Sequence, residues 1–349
     1  MALDEEPPTL DERRELYSAA VAFRDLRPWE RMSDTDLFGV VSPEDGQVGY
    51  CSITGEDGEP PGLLVHRGVR GFTGFLTSLH GGPEDLMARI LGWDHLAATF
   101  EDRGALERRD LDVIRAIGLR FRGPMSWPLF RSHRPGYLPW VVTGKEARLL
   151  AVALRQSVDV SSRAEHDPSF LWDGERRFLH RVPGGTPPAW RDELRPDPGP
   201  VPPPAGELPD PARARADVAA AERLAGERWE VDVFPARAIG ETREGRPYVV
   251  HAILWIDQGQ RGWMRSETVE PADVPRAVPV MTHSTIRLVG APDAVLVPRE
   301  EVRALLGPLL EGTGVGLEVV PRLPGVERAK ALLNERLGRP GPGEGTRPG

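Results

Sequence analysis

The chain of 349 residues has one cysteine, Cys51, and two lysines, Lys145 and Lys330. A single cysteine excludes an intramolecular disulfide framework and any Cys-based zinc or iron–sulfur cluster. Scarce lysine means that 42 of the 44 basic residues are arginine, a skew that reports a GC-rich genome more often than a binding chemistry. No run of 18 apolar residues occurs, so no transmembrane helix is expected. The first ten residues, MALDEEPPTL, are acidic and carry no apolar core of a secretory signal. A cytoplasmic location with no membrane partner is the expectation. A basic excess is also missing. Residues 1–190 hold 23 basic and 29 acidic groups, and residues 191–349 hold 21 and 24, so neither half looks like a nucleic-acid-binding domain by net charge.

What is abundant is proline and glycine, 36 and 38 residues, which points to long loops or a spacer beside a core that 40% apolar composition can fill. The length suggests two domains. Residues 196–212, PDPGPVPPPAGELPDPA, form the clearest boundary, because consecutive prolines forbid ladders and favour stiff polyproline II. The division expected is a domain over 1–190, a Pro-rich linker over 191–212, a second domain over 213–338, and a polar Gly/Pro tail over 339–349 that is expected to be disordered.

The first domain reads as α+β: a helix, a small antiparallel meander, then further helices. Thr9 and Glu12 make a capping box, and Leu16, Tyr17, Ala20 and Val21 follow at helical spacing. Strand-like runs at 37–41, 48–54 and 62–66 are separated by turn-rich SPEDGQ and GEDGEP. Helices are expected over 69–79, 83–92 and 104–117, and a second capping box, Thr143 and Glu146, opens another. In the second domain a helix is expected from Asp210 to Gly226, then strands at 229–234, 248–256 and 262–269. Residues 271–290 are ambiguous because prolines 271, 275 and 279 interrupt them. Strand 294–297, helix 299–311 with a break at Gly307–Pro308, strand 315–320 and helix 325–337 complete the chain. Three strands, then strand–helix–strand–helix, is the order of an α/β RNase H-like fold.

Two stretches carry resemblances. The segment from Trp29 through WERMSDTDLFGV, with Gly49-Tyr50-Cys51-Ser52-Ile53 and Gly62-Leu-Leu-Val-His-Arg-Gly68, resembles a bacterial family of domains of unknown function. Trp229-Glu-Val-Asp-Val-Phe and the elements after it are similar to a second uncharacterised bacterial domain. Neither implies an activity. More distantly, the second half resembles the RNase H-like core of integrases and transposases. Trp229 and Asp232 match its Trp-x-x-Asp strand, Asp257 its acidic strand end, and Glu327 its helical carboxylate. The resemblance implies a metal-dependent nuclease using Asp232, Asp257 and Glu327 with Mg²⁺ or Mn²⁺. The sequence departs at the central strand, where Val297-Pro298-Arg299 stands in place of an acid. The plainer reading makes all three acids turn, strand-edge or solvated groups.

One segment has binding chemistry. Between Asp112 and Glu146 there is no acid, while Arg115, Arg120, Arg122, Arg131, Arg134 and Lys145 alternate with Phe121, Trp127, Phe130, Tyr137 and Trp140. Arginines clamp phosphates and aromatics stack bases. Arg120, Arg122, Trp127, Arg131, Arg134 and Tyr137 are therefore the candidate contacts for a protein or nucleic-acid partner. The competing reading is a loop pinned by buried aromatics with solvated arginines. The eight histidines show no metal-ligand spacing, and no Walker A or nucleophile-elbow motif occurs. No cofactor is expected outside the nuclease reading. The working expectation is a non-enzymatic binding or adaptor protein, with the nuclease and a protein–protein scaffold as alternatives.

Overall fold

A computed structural model describes residues 6–55, 59–80, 92–185, 189–199, 201–259 and 264–337. The chain divides into two units, one made of residues to Pro135 and Pro139–Val201, the other of Gly136–Leu138 and the chain from Pro202 onward. Among the described residues no helix is long and apolar enough to cross a membrane.

The first unit begins with α1 (Leu10–Leu26), whose Thr9 hydroxyl accepts from the Glu12 amide while Glu12 reaches back to the Thr9 amide. Its buried stripe is Leu16, Tyr17, Ala19, Ala20 and Phe23. Strands β1 (Phe38–Val41), β2 (Val48–Thr54) and β3 (Gly62–Arg67) form the expected antiparallel meander. After α2 (Gly68–His80) come β4 (His95–Glu101), α3 (Arg108–Ala116) and β5 (Trp127–His133). Then follow α4 (Gly144–Ala164), opened by the Thr143–Glu146 box, β6 (Arg177–Pro183) and β7 (Trp190–Pro196).

The meander is thus only the middle of a seven-stranded sheet, ordered β5-β4-β3-β2-β1-β6-β7 and antiparallel except for β1 beside β6. Strands β4 to β7 were not expected. Their apolar residues are interrupted by His, Arg and Pro, so alternation is weak. The α1 and α4 stripes pack one sheet face, with Phe38, Val40, Ile53, Leu63, Leu96 and Phe100 beneath them. On the other face Phe72 and Phe75 of α2 meet Leu37, Tyr50 and Phe178. The helix expected over 104–117 shortens to α3, after a single turn of 3₁₀ helix at Arg103–Ala105. The one expected over 83–92 lies almost wholly outside the described residues.

The second unit starts with α5 (Pro211–Ala220), capped by Asp210, whose side chain accepts from the Arg213 amide. It ends six residues before Gly226, because β8 (Arg223–Glu241) claims that stretch. Strands β8, β9 (Pro247–Asp257) and β10 (Met264–Val269) form an antiparallel meander. Next are α6 (Val274–Val289), β11 (Ala291–Val297), α7 (Glu300–Leu310), β12 (Gly316–Val319) and α8 (Pro324–Leu337). The sheet order is β10-β9-β8-β11-β12, with β11 parallel to β8 and β12 parallel to β11. Helices α5, α6 and α7 cover one face through Val218, Val278, Ile286, Val302, Leu306 and Leu309. Helix α8 covers the other, where Val326 and Ala329 meet Phe234, Leu254 and Leu296.

The linker expectation is corrected at both ends. Residues 190–196 are β7, paired along their length with β6. Residues 206–207 are fixed against α6 and α7 in the second unit. The prolines explain why. Pro279 and Pro308 lie inside α6 and α7 and supply no N–H to the carbonyls four residues earlier, those of Pro275 and Ala304. The Glu207 amide donates to the Pro275 carbonyl at 2.8 Å and the Gly206 amide to the Ala304 carbonyl at 3.2 Å. Proline therefore neither stops α6 nor breaks α7 at Gly307–Pro308, since a neighbouring chain segment fills both vacant acceptor positions.

Candidate functional site

The acids singled out from the sequence do not converge. Asp232 lies opposite Leu254 and Asp257 opposite Trp229 in the β8–β9 ladder. Successive residues of a strand point to opposite faces, so the odd spacing from 229 to 232 sends the two carboxylates to opposite sides. Phe234 and Leu254 share the α8 side with Asp232, and Trp229 and Trp255 share the α5–α7 side with Asp257. One Asp257 oxygen accepts from the Gly259 amide at 2.7 Å, and the other makes no hydrogen bond among the described residues. Glu327 on α8 is half-exposed and paired with Arg322 at 2.9 Å, a contact that holds its carboxyl below the usual range. The three-acid metal site is therefore corrected. Among the described residues no group of three or more His, Cys, Asp or Glu is placed to hold a metal ion.

Asp232 instead anchors two cations. Its side chain is 1% exposed; Oδ1 accepts from Arg299 Nη1 at 2.8 Å and Oδ2 from Lys330 Nζ at 2.5 Å. Arg299 also donates to the Val233 carbonyl, and the Lys330 ammonium sits 4.3 Å from the centre of the Phe234 ring. The carboxylate needs such partners, because a buried charge without them is costly. Beside it Glu230, fully buried, accepts from Gln258 and from the Val326 amide at the start of α8. A Cβ at residue 325 would come within 2.9 Å of that carboxylate, which is why glycine precedes Val326. Arg299 follows β11 directly, Lys330 comes from the helix after β12, and Leu296 of β11 is level with Glu230. The cluster thus gathers at the carboxyl end of β11, beside the middle of β8, and the helices after β11 and β12 lie on opposite faces. Ligands of open parallel sheets bind at such switch points. In the sequence Arg299 stands out only where the resemblance calls for an acid. Lys330 carried a signal too, since it lies on α8 one turn after Val326.

The arginine-aromatic segment 113–145 is split. Arg120 and Arg122 are exposed, with no ion pair among the described residues. Arg131 is held by Asp110 through both terminal nitrogens, at 2.9 and 2.8 Å. Arg134 is paired with Glu146 at 2.9 Å. Trp127 is half-buried against Phe121. Tyr137 belongs to the second unit, where its hydroxyl donates to Glu270 and Arg246 stacks on its ring. The six candidates therefore do not form one exposed face. Acids outside the segment, on α3 and at the start of α4, neutralise two of the arginines, and a sequence window cannot show that.

Two features of the first unit carry no clear signal in the sequence. Glu146, besides capping α4, accepts from Arg67 at 2.5 Å, Arg134 at 2.9 Å and the Ser132 hydroxyl at 2.8 Å. Burial pushes its carboxyl up, but Arg67 and Arg134 outweigh this and hold it at about 2. On the opposite sheet face, Tyr50, His66, His95 and His133 are direct neighbours across β2, β3, β4 and β5. Beyond Tyr50 the row runs through Gly39 to His180. A Cβ at residue 39 would fall 2.3 Å from the His180 ring, so glycine lets that imidazole lie over β1. His95 and His133 stack at 4.2 Å, and His66 bonds the Ser52 hydroxyl at 3.0 Å. Burial lowers His66 to about 3, and burial also lowers His95, with His133, His66 and Arg67 adding to the effect. The signal in sequence was a histidine at the same end of three successive strands. Cys51 is fully buried, and burial pushes its thiol up, away from a nucleophile's range.

Residues 14–181 match the model of a domain of unknown function (DUF7309), and residues 217–334 match that of a second domain of unknown function (DUF6930). No curated protein matches the chain. The stretches quoted above from Trp29 to Gly68 and from Trp229 to Phe234 fall inside these two matches. The chain thus joins two units, each similar to a separate domain family to which no function is assigned.

Proposed function

We propose that this is a non-enzymatic binding or adaptor protein whose second unit is an RNase H-like scaffold. The strand order β10-β9-β8-β11-β12, with an antiparallel meander followed by two parallel strands, supports the scaffold reading. The observation that carries the non-enzymatic reading is the state of Asp232. Both of its oxygens are occupied by Arg299 and Lys330, and Asp257 stands on the other side of the sheet. Two-metal phosphoryl chemistry needs carboxylates converging on ions about 4 Å apart. A carboxylate neutralised by two side-chain cations attracts divalent ions poorly. The exposed Arg120 and Arg122 are what remains of the contact surface expected over 113–145.

The test is incubation of the full chain with Mg²⁺ or Mn²⁺ and single-stranded, duplex and RNA–DNA hybrid substrates, alongside thermal unfolding with each ion. The expected result is no cleavage and no metal-dependent rise in Tm, since only an ion that binds the native state raises it. Metal-dependent cleavage that disappears in Asp232→Asn would overturn the reading in favour of the nuclease.

A further inference from the structure

We propose that Arg299 and Lys330, tethered by Asp232, form an oxyanion site that takes a phosphate group. The proposal rests on the non-enzymatic reading above and gives its binding site a ligand class.

The argument starts from unused donors. An arginine carries five N–H groups and a lysine three. Arg299 commits one nitrogen to Asp232 and one to the Val233 carbonyl, and Lys330 commits one N–H to Asp232. Apart from the Phe234 ring that faces the Lys330 ammonium, the remaining donors of both side chains meet no acceptor among the described residues. Both side chains are partly exposed, Arg299 at 42% and Lys330 at 32%, beside a carboxylate that is almost wholly buried. Asp232 therefore fixes the cations from below and leaves their outer sides open.

Such a tether matters for binding. Free arginine and lysine side chains lose rotamer freedom when they clamp an anion, and a preorganised pair loses less. Asp232 cancels one of the two charges and the buried Glu230 beside it offsets the other, so the site would hold an anion through directed N–H donors more than through net charge. The neighbouring acids do not compete for the outer donors. Glu230 is spent on Gln258 and the Val326 amide, and Glu327 on Arg322. The net charge of −9 is spread over 349 residues, and beyond about 10 Å it is screened at ordinary salt. The carboxyl end of β11, where Arg299 stands, is also a place where parallel sheets take ligands. In a metal-dependent site of this kind a cation would bridge the strand carboxylate and a phosphate oxygen. Here two side-chain cations stand on the carboxylate, so they would hold a phosphate and activate no water.

Two probes separate the sources of that phosphate: a fluorescein-labelled single-stranded oligonucleotide followed by anisotropy, and inorganic phosphate followed by thermal shift, both with the full chain. The expected result is binding that weakens with added salt and falls at least tenfold in Arg299→Gln and in Lys330→Gln. Asp232→Asn removes the charge that tethers both cations, so binding there is expected to weaken, though less than in the Gln variants, because both cations remain. Arg299→Lys keeps the charge and retains most of the binding, which separates a site effect from a folding defect. Binding of both probes assigns the site to a nucleic-acid strand, and binding of phosphate alone assigns it to a free oxyanion. If neither probe binds the wild-type chain, or the Gln variants bind as well as wild type, the site is wrong. Without cleavage, that result leaves the non-enzymatic reading standing. Metal-dependent cleavage would overturn both.

Discussion

The amide of Gly206 donates to the carbonyl of Ala304, the acceptor that Pro308 leaves vacant in α7. Residue 206 is also a place where only glycine fits, because a Cβ there would lie 1.9 Å from the Leu305 carbonyl oxygen. Gly206→Ala is expected to push this segment off the helix. The predicted loss is on the order of 2 kcal/mol, since both the hydrogen bond and the close backbone approach are disrupted. Urea unfolding followed by tryptophan fluorescence reads it, and a midpoint equal to wild type would show that the segment adds nothing to stability.

The histidine row makes stability depend on pH. His66 titrates near 3 in the folded chain and near 6.5 when unfolded, and burial lowers His95 and His180 as well. With folded values depressed, the unfolded chain takes up protons first as pH falls below about 6.5. Stability is then lost progressively toward pH 3, at up to about 1.4 kcal/mol per pH unit for each proton. Urea midpoints measured from pH 8 to 4 should fall, and His66→Gln should flatten the slope. An unchanged slope in that variant would remove His66 from the account.

Glu146 works in the same direction at lower pH. Its folded value of about 2 lies below the ordinary carboxylate value, so its contribution is present above about pH 4 and fades as pH falls toward 2. Glu146→Gln at pH 7 leaves Arg67 and Arg134, with side chains 11% and 15% exposed, without their shared acid. The expected cost is about 3 kcal/mol, in the range for breaking a buried pair. Thermal unfolding measures it, and a Tm drop of under a degree would mean that water replaces the carboxylate freely.

The arginines of the 113–145 segment should sort by partner. Arg131 is held at two points by Asp110 and is only 12% exposed. Arg131→Ala is predicted to cost about 2 kcal/mol. Arg120→Ala and Arg122→Ala, at exposed positions, should each stay within about 0.5 kcal/mol. Chemical denaturation of the three variants side by side decides it. Equal effects would mean that the ion pair with Asp110 is not formed in solution.

The sequence by itself determined the local pieces. Capping boxes at Thr9 and Thr143, the meander from 37 to 66 and, apart from α6, the order of elements after Asp210 are short-range, written in spacings of two to four residues. What it left undecided depends on partners far along the chain. Strands β4 to β7 exist because the sheet supplies their ladders. Helix α6 survives Pro279 because Glu207, seventy-two residues earlier, fills the vacant acceptor position. The candidate site shows the same division. Asp232, Asp257 and Glu327 were legible as acids, but the face each side chain takes follows from the β8–β9 register, which only pairing fixes. Arg299 and Lys330 become a site only once β11 and β12 deliver them to one buried carboxylate.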